Sequence, residues 1–311
     1  MPSLSPVAFL DDQALLSALQ SAFVSSEQRS PVSLQRREAN RIRSTSPTEV
    51  ASVVLDNGSA IEVFCKYGGY YSSDDLVPKR GVPYEAFVYS NVLKMVNLPL
   101  PRYYGAYVGG NDFTVLFIEN LTGAFKISLS HQTMYAAARW IGEFHRFGEE
   151  LAMTSTAEPM IQYTSQHYSN VATRAFACAQ ASGHDSRWLR TLCAGFEAIA
   201  IPFLVGRRTV VHGEFYPSNV QVSGGVTMPV DWESAAIGAG EVDLACLTAR
   251  WRESIRVNCE TEYVRARWPS GVPQDFEKTL AAATLYTHLQ LSRWTLEPAR
   301  LQGAAEILGI F

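Results

Sequence analysis

Several things are scarce in this chain of 311 residues. There is no basic excess: 26 Lys and Arg stand against 30 Asp and Glu, for a formal net charge of −4. Nothing here gathers a phosphate backbone, so nucleic acid is not expected as a partner. Charged residues make up only 18% of the chain and apolar residues 47%, enough to bury an enzyme-sized core. Long apolar runs are missing. Windows such as 199–205 fall far short of the roughly 20 residues that cross a bilayer, so no membrane span is expected. The start, MPSLSPVAFLDD, has neither a basic segment nor a long apolar one, so no secretory signal is expected. The five cysteines, Cys65, Cys178, Cys193, Cys246 and Cys259, form no CxxC and stand at no metal-ligand spacing from a histidine. They read as reduced, buried thiols of a cytoplasmic protein. The pattern GxxxxGK[ST] is absent, which argues against a P-loop enzyme.

What is present falls into two compositional halves. Asp11 or Asp12 can cap a helix with Leu15, Leu16, Leu19, Ala22 and Phe23 on one stripe. Residues 32–66 then turn to strand patterns. A strand ending near 41–43, the turn Ser44-Thr45-Ser46-Pro47-Thr48, and strands at 50–55 and 61–66 follow one another. Asp56-Asn57-Gly58-Ser59 supplies a strong hairpin signal for the last two. Lys66 ends the last of these strands, and Cys65 points to its other face. A helix starts near Pro83, with Glu85 in its first turn and Tyr84, Phe87, Val88, Val92 and Met95 on its apolar side. Residues 103–108 and 113–119 form another hairpin. After Gly123 the pattern becomes helical: Met134, Ala137, Ala138, Ile141, Phe144 and His145 recur at helical spacing. Further helices are expected over 161–181, 186–204 and most of 251–311. There is no low-complexity linker and no internal repeat.

The chemistry concentrates at 210–231, VVHGEFYPSNVQVSGGVTMPVD. Two apolar runs, 209–211 and 228–230, flank a polar core of His212, Glu214 and Asn219, which Asp231 closes. A carboxylate followed five residues later by Asn, and then by Asp, suits phosphoryl transfer. The carboxylate can orient or deprotonate a hydroxyl, while the Asn and Asp oxygens can hold Mg²⁺ against phosphates.

These motifs resemble the aminoglycoside phosphotransferase and choline-kinase-like group of small-molecule kinases over residues 40–250. That group writes His-Gly-Asp-x4-Asn, then a strand and an Asp-Trp-Glu-like metal site. Here the site is Asp231-Trp232-Glu233, and Ala239-Gly240-Glu241-Val242-Asp243-Leu244-Ala245 resembles the segment that follows it. The resemblance implies an α+β, bilobal, protein-kinase-like fold. Residues 1–120 would be a nucleotide-binding lobe with an antiparallel sheet, and 121–311 a mainly helical lobe with the catalytic loop and acceptor site. It implies ATP (or GTP) and Mg²⁺ as cofactors, with Asn219 and Asp231 as metal ligands. Lys66 would anchor phosphate and Glu85 would pair with Lys66. Ser44, Thr45 and Ser46 would lie in the phosphate-covering turn. Glu119 and Leu121 would offer backbone groups to the base. His212 would stabilise the loop, Asp243 would cap its helix and brace the loop, and His145 would be structural. The partner is a small hydroxylated molecule.

The chain departs from the family at one position: Glu214 stands where Asp is usual. The carboxylate is kept but moves by about an ångström, a displacement that can cost about 10²-fold. Two readings follow, a working kinase with a more distant acceptor or a nucleotide-binding pseudokinase that acts through a partner. A protein kinase is disfavoured by the missing Gly-rich loop and activation segment. Residues 251–311 carry seven Lys/Arg and seven Asp/Glu, no acidic wall for a polycation. Their aromatics, Trp251, Tyr263, Trp268, Phe276, Tyr286 and Trp294, suit a less charged, ring-containing acceptor.

Overall fold

A computed structural model describes residues 9–25, 29–40, 46–70, 80–110, 113–181, 187–291 and 298–311. Ser44, Thr45, the end of the expected first strand at 41–43, residues 71–79 and Trp294 lie outside the described residues. The described chain forms two compact units. One holds the residues up to 124 together with Val230–Glu233, and the other Phe125–Pro229 with Ser234–Phe311.

The first unit is an antiparallel sheet backed by a helix. Its elements are α1 (Asp12–Ser25), β1 (Pro31–Ala39), β2 (Thr48–Leu55), β3 (Ala60–Gly68), α2 (Val82–Phe87), β4 (Tyr103–Val108) and β5 (Thr114–Glu119), with strand order β1-β2-β3-β5-β4. Asp11 Oδ1 accepts the Ala14 N–H at 2.8 Å and caps α1. The β2–β3 turn closes because Gly58 takes φ 80° and Asn57 Oδ1 accepts the Ser59 N–H at 3.0 Å. Side-chain alternation then sorts the sheet faces. Ala51, Val53, Val63, Cys65 and Tyr67 pack with Leu15, Leu19 and Phe23 of α1 as one core. Val50, Phe64 and Lys66 belong to the other face, where a cavity of about 720 Å³ runs along Val50, Phe64 and Asn120.

Two expectations change here. Lys66 does not end its strand: β3 continues to Gly68, which pairs with Thr114, and Lys66 is buried opposite Leu116. Met95 is exposed rather than on the apolar side. The helix begun by α2 passes into a π-turn at Val88–Val92 and a 3₁₀ turn at Leu93–Met95, and these changes of pitch rotate the stripe.

The second unit contains β6 (Phe125–Lys126), α3 (His131–Leu151), β7 (Ile161–Gln162), α4 (Ser165–Ala181), α5 (Arg187–Gly195), α6 (Ile201–Gly206), β8 (Thr209–Val211), β9 (Val220–Ser223), β10 (Val226–Pro229), β11 (Ala236–Gly238), α7 (Glu241–Thr248), α8 (Glu253–Arg267), α9 (Phe276–Leu291) and α10 (Pro298–Leu308). Its two small sheets run β10-β9-β6 and β7-β11-β8. The long helix α3 is capped by Ser130 Oγ, which accepts the Gln132 N–H. It buries Met134, Ala137, Ala138, Ile141, Phe144 and His145, and it packs chiefly on α8. A Cβ at Gly142 would come within 2.7 Å of the Tyr263 carbonyl, so a glycine is what lets α3 and α8 approach.

Residues 161–162, expected to be helical, form β7 instead, because their backbone pairs in parallel with β11. Cys178 is exposed and Cys193 half-buried rather than buried; all five thiols are free. The apolar stretch near residue 200 is also longer than expected. Through a π-turn at Phe196–Ala200, α5 and α6 form one helix, Arg187–Gly206, long and apolar enough by length and composition to cross a membrane. Its buried residues recur at helical spacing: Leu189, Leu192, Phe196, Ala200 and Leu204. They face α4, α9 and α10 as one buried stripe of a helix whose other side is open.

Candidate active site

In the first unit, Lys66 Nζ lies 2.7 Å from Glu85 Oε2, 2.6 Å from Asp231 Oδ1 and 3.5 Å from Glu233 Oε2. Burial alone would drive the ammonium toward its neutral form. Attraction to Glu85, Asp231 and Glu233 outweighs that and raises the Lys66 pKa well above its ordinary value. Burial pushes the Glu85 carboxyl up, while Lys66 holds it back. The second Glu85 oxygen accepts the Trp232 N–H at 3.0 Å, which ties α2 to the segment carrying Asp231. Asp231 itself has φ 69°, a left-handed conformation uncommon for a side chain that is not glycine. Its side chain is 34% exposed, against 7% for Lys66 and 0% for Glu233.

Ligand oxygens of Glu85, Asp231 and Glu233 lie within 4.8 Å of one another. One ammonium among three carboxylates leaves two formal negative charges. A divalent cation bound through the accessible Asp231 would offset them, and hard oxygen donors are what magnesium takes.

In the second unit, β8 feeds directly into the loop His212–Asn219. Gly213 has φ 84°, and a Cβ there would collide with the Ser234 carbonyl, so no larger residue fits. Asp243, in the first turn of α7, accepts the His212 N–H at 2.6 Å and the Gly213 N–H at 2.9 Å. Its oxygens are spent on the loop. It does not cap its own helix as expected; the N-cap is Gly240, with no side-chain bond. His212 is buried, and its Nδ1 accepts the Glu214 N–H at 3.3 Å.

The Glu214 backbone carbonyl accepts from the Tyr216 N–H at 2.7 Å and from Asn219 Nδ2 at 3.0 Å. Anchoring Nδ2 leaves Oδ1 as the amide's ligand atom, the donor a metal requires; Ser218 Oγ lies 3.2 Å from it. The Glu214 side chain accepts the Ser234 hydroxyl at 3.1 Å.

Behind Asp243 runs a buried relay. Its Oδ2 lies 3.1 Å from His145 Nε2, and His145 Nδ1 lies 3.0 Å from the Tyr263 hydroxyl. A carboxylate only accepts, so Nε2–H donates to Asp243 and the Tyr263 hydroxyl donates to Nδ1. Arg267 donates to the Tyr263 oxygen and pairs with Glu149 at 2.8 Å and Glu241 at 3.3 Å. Burial lowers the His145 pKa despite the pull of Asp243.

At the end of β5, the Glu119 N–H donates to Arg102 O at 2.8 Å and Leu121 O accepts from the Ala124 N–H at 3.1 Å. Neither bond uses the Glu119 C=O or the Leu121 N–H. Ser46 is buried beside β2. Sequence analysis gave no role to Ser234, Arg267, Glu149 or Glu241, and placed Tyr263 among the acceptor-side aromatics rather than in a relay. The only hint was that Tyr263 and Arg267 stand four apart, on one helical face. Tyr263, Phe276 and Tyr286 are buried. Tyr263 and Tyr286 pack the core, whereas Trp251 lines a cavity and Phe276 lines, with Trp251, a second one.

An antiparallel sheet carrying a buried Lys–Glu pair, followed by a helical unit with a braced carboxylate loop, defines a protein-kinase-like phosphotransferase. The sequence matches the Phosphotransferase enzyme family (APH) over residues 87–275, more than half its length. The chain belongs to that family and is a small-molecule kinase.

Solved structures share its fold. A macrolide 2′-phosphotransferase from Brachybacterium faecium is 16% identical, with TM-score 0.56, covering 95% of this chain and 98% of its own. A choline kinase from Cryptosporidium parvum Iowa II is 11% identical, with TM-score 0.63, covering 97% and 98%. An amicoumacin kinase solved with AMP-PNP, Ca²⁺ and Ami is 10% identical, with TM-score 0.52, covering 88% and 87%. A search of curated proteins gives no match.

Proposed function

We propose that the protein transfers the γ-phosphoryl group of ATP, with Mg²⁺, to a hydroxyl of a small molecule in the cytoplasm. The acceptor would be a natural product such as an antibiotic, or a metabolite. The observation that carries this reading is the Lys66–Glu85–Asp231–Glu233 cluster, with its excess of negative charge and one accessible carboxylate. In that reading residues 1–120 bind the nucleotide and 121–311 the acceptor. Lys66 anchors phosphate and Glu85 positions Lys66. Ser46, with Ser44 and Thr45, covers the phosphates. The Glu119 C=O and Leu121 N–H take the base. Asn219 and Asp231 hold Mg²⁺, whose role when bound is to neutralise charge on the phosphate oxygens. Glu214 orients the acceptor hydroxyl and takes its proton, while His212 and Asp243 keep the loop in place. Family membership and the kinases that share the fold favour a working enzyme over a pseudokinase.

The test is Mg²⁺-dependent ADP release over a panel of hydroxylated compounds. Asp231→Ala and Glu214→Gln are each expected to lower the acceptor-stimulated rate about 10²-fold or more. Full activity in Asp231→Ala would sink the metal assignment. Thermal stabilisation by ATP without turnover of any acceptor would favour the pseudokinase.

A further inference from the structure

The loop that carries Glu214 and Asn219 is also one wall of a cavity of about 640 Å³, a volume that suits a drug-sized molecule. Tyr216 and Ser218 stand on the loop side, Leu247, Trp251 and Leu291 on the others, and Arg250 lies among them. The wall is rigidly joined to the chemistry. The Tyr216 N–H donates to Glu214 O at 2.7 Å, and the Asn219 N–H donates to Tyr216 O at 2.8 Å. A molecule seated against Tyr216 therefore sits against the backbone that positions Glu214. The lining is mostly apolar. Among the described residues no carboxylate lines it, and its one charged residue is the exposed Arg250, which is in no ion pair.

We propose that this cavity seats the acceptor and selects its class: a hydroxylated molecule with an apolar body, neutral or anionic, with any anionic group set against Arg250. Polycations are rejected. A polycation entering here would lose hydration with no carboxylate to replace it, and would meet a like-charged guanidinium. An apolar ring gains by burial against Trp251 and Leu291, and an anionic group can accept two parallel hydrogen bonds from the guanidinium. The proposal rests on the kinase reading. In the step it serves, the acceptor oxygen bonds to the γ-phosphorus and the bond from that phosphorus to the β,γ-bridging oxygen breaks. ADP leaves, and the hydroxyl proton passes to the Glu214 carboxylate.

The full chain is assayed for ADP release with Mg-ATP and four probes: 4-nitrophenyl β-glucoside (neutral), 4-nitrophenyl β-glucuronide (anionic), choline, and kanamycin (polycation). In parallel, the anionic fluorophore 1-anilinonaphthalene-8-sulfonate is titrated into wild type, Arg250→Glu and Ala249→Trp. The glucoside and glucuronide are expected to show kcat/KM at least tenfold above kanamycin. Arg250→Glu should raise KM for the glucuronide at least tenfold and for the glucoside less than twofold. Arg250→Glu should also weaken fluorophore binding at least tenfold, and the bulky side chain in Ala249→Trp should abolish it.

Preference for kanamycin or choline overturns the proposal while the kinase reading stands. So does fluorophore binding that neither variant changes. Absence of ADP release with every probe, together with absence of thermal stabilisation by Mg-ATP, sinks the kinase reading instead. The fluorophore titration then still decides the charge selectivity of the cavity.

Discussion

The Lys66 cluster of the first unit and the Asp243 site of the second hold their buried carboxylates in opposite ways. In the first, Lys66 is surrounded by Glu85, Asp231 and Glu233, so ions are balanced by ions, with negative charge in excess and Asp231 one-third exposed. In the second, Asp243 is buried completely, and its oxygens meet two backbone N–H groups and a histidine. Beyond it each donor finds one acceptor, through Tyr263 to Arg267. A cluster with unbalanced charge and an accessible ligand is suited to exchange partners. A chain of matched donors and acceptors fixes a backbone, because every missing link leaves a buried group unsatisfied.

Replacing the ammonium is expected to have the largest effect. Lys66→Met strands three carboxylates, and loss of one partner from a buried charge cluster costs about 3–5 kcal/mol. The rate should also fall by about 10²–10³-fold, as when one preorganised charge is removed. The stability loss should depend on pH. Glu85 already has a raised pKa in the folded state, so above its ordinary 4.5 the folded chain binds more protons than the unfolded one. Stability then falls as pH rises. Without Lys66 that window widens, and urea denaturation should show a smaller deficit at pH 5 than at pH 8. Equal deficits at both would break the comparison.

Asp243→Ala comes next. It removes an acceptor shared by two amides and His145. Its effect on the rate runs only through the loop backbone, so it ranks below Lys66→Met in activity, although at about 1.5–3 kcal/mol for each charge-assisted bond its denaturation deficit is at least as large. No recovery is expected at low pH, since amide N–H groups do not titrate there and His145 loses the partner that raises its pKa, which deepens an acid deficit rather than relieving it. The same urea experiment checks this, and a deficit that vanished at pH 5 would mean the two clusters are alike.

The different legibility of the two clusters has a physical cause. Lys66, Glu85, Asn219 and Asp231 lie in short motifs whose order along the chain could be read, and hairpins such as 50–66 declare themselves through alternation and a turn of Asn-Gly type. The fold class followed from those. The relay behind Asp243 joins residues 98 and 118 positions apart, and nothing in local spacing encodes such contacts. The two-residue strands β6 and β7 are shorter than any periodicity, and Ile161–Gln162 owes its conformation to a partner about 75 residues away. Met95 was misplaced because a change of helical pitch leaves no mark in a hydrophobic pattern. The C-terminal aromatics read as an acceptor wall because composition does not say whether a ring is buried by its own fold or by a ligand.

A smaller effect sharpens the scaffold side. Tyr263→Phe keeps the ring and its packing but removes the hydroxyl that joins His145 to Arg267. Leaving His145 Nδ1 without its donor should cost about 1–3 kcal/mol in a denaturation experiment, less than Asp243→Ala and with the Lys66 cluster untouched. A cost as large as that of Asp243→Ala would mean that the far end of the relay, and not its bond to the loop, carries the stability.

The last effect separates Glu85 from the buried histidines by sign. His167 stacks on Tyr163 with ring centroids 4.2 Å apart, and its Nε2 lies 2.7 Å from the Tyr286 hydroxyl. Burial lowers its pKa from 6.5 to about 4. Between those values the unfolded chain binds the proton and the folded one does not. The stability this group contributes is therefore fully present above 6.5 and lost as pH falls toward 4, with a slope of at most about 1.4 kcal/mol per pH unit. His145, also lowered by burial, acts in the same direction, whereas Glu85 in the first unit acts in the opposite one. His167→Gln should flatten the fall in stability between pH 6.5 and 4.5 without changing the deficit of Lys66→Met. An unchanged slope would assign the acid sensitivity to His145 or to carboxylates and remove His167 from the account.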